Sequence, residues 1–173
     1  MEDRFTRGFT AGIISGLAMN IYSWLAGSMA LTTLRMVDWA GLVLYGHRPP
    51  FDTTEFIVAQ VAQLIYCGAL GVFFAYFITW VKSRNIYFKG WLFSTMTWFA
   101  CYGIATLYKL EGTIPMPVKT VISNFIAAMI FGLAIAALTT VAATDKNTSE
   151  AYSNLIAQPA MKPNKEDKET PDD

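Results

Sequence analysis

Four stretches of the chain carry no Asp, Glu, Lys or Arg: Gly8 to Leu34, Phe56 to Val81, Gly90 to Tyr108 and Thr120 to Thr144. A helix rises about 1.5 Å per residue, so about 20 apolar residues cross a hydrocarbon core about 30 Å thick. All four stretches meet or nearly meet that length. A charge at the bilayer centre costs several kcal/mol, which accounts for charges at the ends of these stretches. Backbone polar groups in lipid must be satisfied within the segment, so such stretches are expected to be helices. Membrane-barrel strands would be about ten residues long and alternate in polarity, and these do not. The pattern predicts an all-α fold: a four-helix transmembrane bundle with spans at about 8–34, 56–81, 90–108 and 120–144. A buried helix of a soluble protein is also apolar all round. Four of them in 173 residues would leave too little polar surface to cover them.

The connections are unequal. The second and third are short, so spans two to four are expected as antiparallel neighbours of an up-down bundle. In the first, Arg35 to Tyr45 has helical propensity and no breaker before Gly46. It either continues the first helix or forms a short helix at the outer interface, where its aromatic residues belong. Pro49-Pro50 then forces a turn, and Asp52, Thr53 and Thr54 offer N-caps for the second span. Pro115 and Pro117 precede the fourth.

Composition adds the boundary of the membrane domain. Of 26 acidic and basic residues, 11 fall between Thr144 and Asp173, with Pro159, Pro163 and Pro171. Residues 1–143 read as the membrane domain and 145–173 as a disordered polar tail. A short amphipathic stretch at Tyr152, Leu155 and Ile156 could rest on the membrane or a partner, though a plain tether is the simpler reading. The net charge of zero gives no case for nucleic-acid binding. The first charge-free run, 27 residues long and preceded by Glu2 and Asp3, is expected as an uncleaved helix, although Ser28-Met29-Ala30 resembles a cleavage site. Arg4, Arg7, Lys82, Arg84, Lys89 and Lys146 fall on one side, against Arg35, Arg48, Lys109 and Lys119 on the other. That bias places both termini in the cytoplasm.

Small and polar residues form a stripe in each span. Gly8, Gly12, Gly16 and Asn20 recur every fourth residue. Gln63, Cys67, Gly71 and Ala75 follow the same spacing, with Gln60 one turn earlier. The third span offers Ser94, Thr97, Cys101 and Ala105; the fourth offers Thr120, Asn124, Ala128, Gly132 and Ala136. Small residues at this spacing let helix backbones approach closely, and interhelical amide bonds contribute about 0.5–2 kcal/mol each. Such stripes serve either as packing faces or as the lining of a polar path, and packing is the simpler reading. No span holds an ionisable Asp, Glu, Lys, Arg or His of the kind ion-coupled transporters use.

Candidate chemistry is confined to the first connection. Arg35, Asp38, His47, Arg48, Asp52 and Glu55 form an outer-face polar cluster. A carboxylate beside a histidine can do acid–base work or bind a metal weakly. Charged loops at an interface are nevertheless ordinary, and Arg35 and Asp38 have the spacing of a helix pair. Cys67 and Cys101 fall in spans, where thiols pack as small apolar groups. With one histidine in the chain, a histidine-rich metal site within one protomer is excluded. No catalytic residue, metal or cofactor is assigned.

The opening Gly8-Phe9-Thr10-Ala11-Gly12-Ile13-Ile14-Ser15-Gly16, the Arg35-Met36-Val37-Asp38-Trp39-Ala40 stretch before Tyr45-Gly46-His47-Arg48-Pro49, and Ser123-Asn124-Phe125-Ile126 together resemble the YqhR-like four-span membrane proteins of Gram-positive bacteria. The resemblance runs from Gly8 to about Val141. It implies a four-span fold in a bacterial cytoplasmic membrane and carries over no functional residue.

Three functions are compatible with these features. The preferred one is a non-enzymatic scaffold or accessory subunit in the lipid bilayer, forming a homo- or hetero-oligomer through its small-residue faces. The second is an oligomeric channel or permease lined by Asn20, Gln60, Gln63 and Asn124. The third is a membrane enzyme using the outer-face cluster.

Overall fold

A computed structural model describes residues 3–81, 85–108 and 115–157, from 142 onward by backbone alone. The described residues form five helices and no strand: α1 (Arg4–Ser28), α2 (Met36–Tyr45), α3 (Thr53–Trp80), α4 (Ile86–Leu107) and α5 (Val118–Ala157). The fold is an all-α bundle. Three segments are long and apolar enough to cross a membrane: Arg4–Ser28, Thr53–Trp80 and Val118–Val141. The third expected span corresponds to α4, which is not among these three. Its 22 residues extend about 33 Å, but Lys89, Thr95, Thr97 and its Trp and Tyr residues leave it less apolar.

The first span ends earlier than its charge-free run. Leu31 N–H donates to Ala26 O at 2.9 Å and Ala30 N–H to Gly27 O at 3.1 Å. This is the paired closure that ends many helices, with Ala30 left-handed at φ 54°. Thr32 Oγ1 then bonds both the carbonyl (2.9 Å) and the N–H (3.3 Å) of Leu34, fixing an irregular link. The stretch after it is therefore a separate helix, α2, and not a continuation of α1. Its start is fixed by Arg35 N–H donating to Asp38 Oδ2 at 2.7 Å. Its end is set by Gly46 at φ 74°, a conformation that favours glycine. The Pro49–Pro50 peptide is cis. Asp52 N–H donates to Glu55 Oε2 at 2.9 Å and opens α3.

Two antiparallel pairs build the bundle. Along α1 and α3, Gly8 meets Gly71, Gly12 meets Cys67 and Gly68, Asn20 meets Gln63, and Trp24 meets Phe56. Along α4 and α5, Gly90 meets Gly132, Trp98 meets Phe125, and Tyr102 meets Asn124. The pairs are tied at one end by Lys89, whose buried ammonium donates to Ile78 O (3.1 Å) and Val81 O (2.5 Å) at the C-terminus of α3. At the other end Thr33 N–H donates to Thr120 Oγ1 at 3.0 Å. Between them, Phe74, Phe77 and Phe93 stack with centroids 5.4–6.5 Å apart, next to fully buried Ile135.

The bundle comprises residues 1–141. The α5 backbone stays helical to Ala157, into the segment read from composition as a disordered tail. Residues 158–173 and the side chains of Tyr152, Leu155 and Ile156 lie outside what is described, as do Lys82, Arg84 and Lys109.

Candidate functional site

The stripes of α1 and α3 face each other. A methyl group added at Gly12 would collide with the Cys67 carbonyl, one at Gly71 with the Gly8 carbonyl, and one at Gly16 with Cys67 Sγ. Across this seam Asn20 Nδ2 donates to Gln63 Oε1 at 2.8 Å, and Gln63 Nε2 returns a bond to Asn20 Oδ1 at 3.1 Å. Gln60 Nε2 adds a bond to Gln63 Oε1 at 3.0 Å. Asn20 and Gln63 are buried. The fourth stripe does the same work against α4, where Gly132 lies on the Gly90 carbonyl and Ser94. Asn124 is fully buried and donates to Tyr102 Oη at 3.1 Å.

The outer-face cluster separates into two groups. Asp38 is 2% exposed and holds the Arg35 guanidinium through Nε and Nη2, both at 3.0 Å. That guanidinium lies 4.7 Å from the Trp24 ring centre and 5.8 Å from Phe56. With its carboxylate bonded and its cation covered by aromatic faces, the pair anchors α2 against α1 and α3. The second group is exposed. His47 Nε2 lies 3.4 Å from Glu55 Oε1, and Nδ1 lies 3.0 Å from Arg48 O. The Arg48 carbonyl, and then Glu55, raise the His47 pKa above its ordinary 6.5. Asp52 sits in the same turn as the N-cap of α3. Among the described residues no three His, Cys, Asp or Glu side chains gather as a metal set. Cys67 and Cys101 are free thiols.

A concave site lies elsewhere. Toward the α2 end, beyond the phenylalanine stack, residues of α2, α3 and α4 line a pocket of about 400 Å³. This is within the 300–1,000 Å³ usual for small-molecule sites. Its walls are Trp39 and Val43 of α2, Tyr66 and Leu70 of α3, and Trp98 and Tyr102 of α4; Met19 and Phe131 close it from α1 and α5. Tyr102 stacks between the two indoles, 4.9 Å from Trp39 and 5.0 Å from Trp98. Among the described residues no Asp, Glu, Lys, Arg or His borders it. Gln63, Ser94 and Thr97 also line it, but each already donates inside the protein: Gln63 to Asn20, Ser94 to Trp91 O, and Thr97 to Phe93 O. Trp39 Nε1 is buried with no hydrogen-bond partner.

Sequence reasoning gave these aromatics only interfacial or packing duty. The available signal was Trp98 and Tyr102 at i, i+4, a spacing that puts two large rings on one face of a helix whose other turns carry small residues. No family model, curated protein or solved structure matches this chain.

Proposed function

We propose that the chain is a non-enzymatic, multi-pass protein of a bacterial cytoplasmic membrane that serves as a scaffold or accessory subunit, with both termini cytoplasmic. The observation that carries this is an inverted polarity. Ser15, Asn20, Gln63, Ser94, Ser123 and Asn124 are buried, while Ile21 (65% exposed), Phe73 (71%) and Phe99 (71%) face outward. Water would penalise that arrangement and hydrocarbon favours it. The contacts between α4 and α5 run from Gly90–Gly132 to Tyr102–Asn124, so α4 shares the depth of a membrane-length segment and supplies the fourth crossing. Because the small-residue stripes are engaged within the chain, a partner meets the bulky outward faces instead. A channel needs Asn20, Gln60, Gln63 and Asn124 to face water, and all four are bonded to other side chains. An enzyme needs a substrate recess at His47, and the pocket does not reach it.

The test is alkaline carbonate extraction of bacterial membranes, combined with impermeant thiol labelling of single cysteines placed at Arg4 and His47. The chain is expected to stay in the pellet, with position 47 labelled from outside and position 4 protected. Release into the supernatant overturns the membrane assignment. Mild crosslinking in the membrane should capture a dimer or a second protein, and recovery of monomer alone counts against the scaffold role.

A further inference from the structure

We propose that the pocket between α2, α3 and α4 binds one neutral, chain-bearing molecule through a carbonyl oxygen, which accepts a hydrogen bond from Trp39 Nε1. Four observations on the molecule converge on that chemistry. The walls are apolar and aromatic, which suits a hydrocarbon chain. No charged side chain among the described residues borders the space, so an ionic group would enter it without a counter-charge from them. One indole N–H, Trp39 Nε1, is buried without an acceptor, and an unmet buried donor costs about 1–3 kcal/mol. A ligand oxygen removes that cost. A water molecule needs two to four polar partners, whereas the other polar groups of the wall already bond within the protein.

The way in has the same character. Val43 (64% exposed), Tyr66 and Ile104 line the pocket and are also exposed, so its mouth lies on the apolar flank of the bundle. In the membrane reading, on which this inference rests, that flank faces acyl chains, and a ligand arrives laterally from the bilayer. Ester-linked glycerolipids and prenyl quinones both carry a carbonyl on an apolar chain, and both dissolve there.

Native mass spectrometry of the full chain in detergent tests this with three probes: dioleoylphosphatidylcholine, its ether-linked dialkyl analogue, and decylubiquinone. The expected result is a saturable one-to-one adduct with a carbonyl-bearing probe, with the ether analogue bound several-fold more weakly. Trp39→Phe keeps the ring and removes the donor. It should weaken the carbonyl probe by about three- to tenfold and abolish its advantage over the ether lipid. Ala62→Phe, which fills the pocket, should reduce binding by about tenfold or more; Ala40→Phe does the same from the α2 wall if that variant fails to fold. A lipid adduct alone assigns a glycerolipid, and a quinone adduct alone assigns a quinone. Unsaturable uptake, equal uptake of ester and ether lipids, or indifference to both Trp39→Phe and the filling variants overturns the proposal. A chain that resists carbonate extraction yet forms no adduct sinks the pocket and leaves the membrane assignment standing.

Discussion

Between α1 and α3 the backbones touch; between α3 and α4, at the α2 end, aromatic side chains line a pocket. Both interfaces use residues at helical spacing, but side-chain size sets the distance. On the first, Gly8, Gly12, Gly16 and Gly71 remove the side chain altogether, and the Asn20 and Gln63 amides bond one another. On the second, Tyr66, Trp98 and Tyr102 line the pocket with large rings. Lipid supplies little hydrophobic drive between helices, so close packing and internal hydrogen bonds hold a membrane bundle together. The seam carries the stability, and the open flank is free to carry a ligand.

The largest effect should come from crowding the seam. A side chain at Gly71 would run into the Gly8 carbonyl and the Gly12 Cα, both backbone atoms that cannot swing away. Gly71→Val should therefore destabilise by about 3 kcal/mol or more, read by thermal or denaturing-detergent unfolding. A loss below about 0.5 kcal/mol, the size of an ordinary surface change, would mean that α1 and α3 are not in backbone contact.

Much of this seam was legible in the sequence, because glycine every fourth residue has few other uses in an apolar helix. The charge-free runs likewise placed the helices, since charge is the feature that hydrocarbon tolerates least. The end of α1 was not legible: Leu31 to Leu34 is as uncharged as the helix before it, and the break depends on Thr32 folding back onto Leu34. The pocket was hidden for a related reason. A Trp on an apolar helix reads alike whether it packs or stands off. Only the space left between α2, α3 and α4 distinguishes these cases, and that depends on which residues face each other. The outer-face cluster misled by proximity in sequence, since Asp38 turns inward to Arg35 while His47 turns out to Glu55.

A smaller loss is expected from the amides. Gln63→Leu leaves the buried Asn20 amide without its partner, at a cost of about 1–2 kcal/mol. The double variant Asn20→Leu, Gln63→Leu should recover part of this, because removing both partners leaves no unmet group. A double-mutant cycle with no coupling energy would show that the seam rests on glycine contacts alone.

The exposed flank of α4 makes the opposite forecast for the same residue type. A methyl group at Gly103 meets nothing within 4 Å, and alanine is a better helix former than glycine by about 0.5–1 kcal/mol. Gly103→Ala should therefore stabilise the chain slightly in detergent. Destabilisation there would mean that the flank is covered by a second molecule in the purified protein, and the contrast between the two interfaces would need redrawing.

The smallest effect belongs to the turn that carries α2 back to α3. The Arg48 carbonyl and Glu55 both favour protonated His47, so its pKa lies above 6.5 in the folded chain. A raised folded-state pKa contributes stability that is fully present below 6.5 and lost as pH rises through the folded value. Since the ring is exposed and its contact with Glu55 is 3.4 Å, that contribution is small. The pKa itself is the sensitive readout. Glu55→Gln keeps the size of the side chain and removes its charge. An NMR titration of the single histidine should therefore move down toward 6.5, but not all the way, because the Arg48 carbonyl still accepts from Nδ1. An unmoved titration would place Glu55 away from the ring. The turn would then be held by backbone and capping bonds alone, and α2, a wall of the pocket, would be anchored without help from pH.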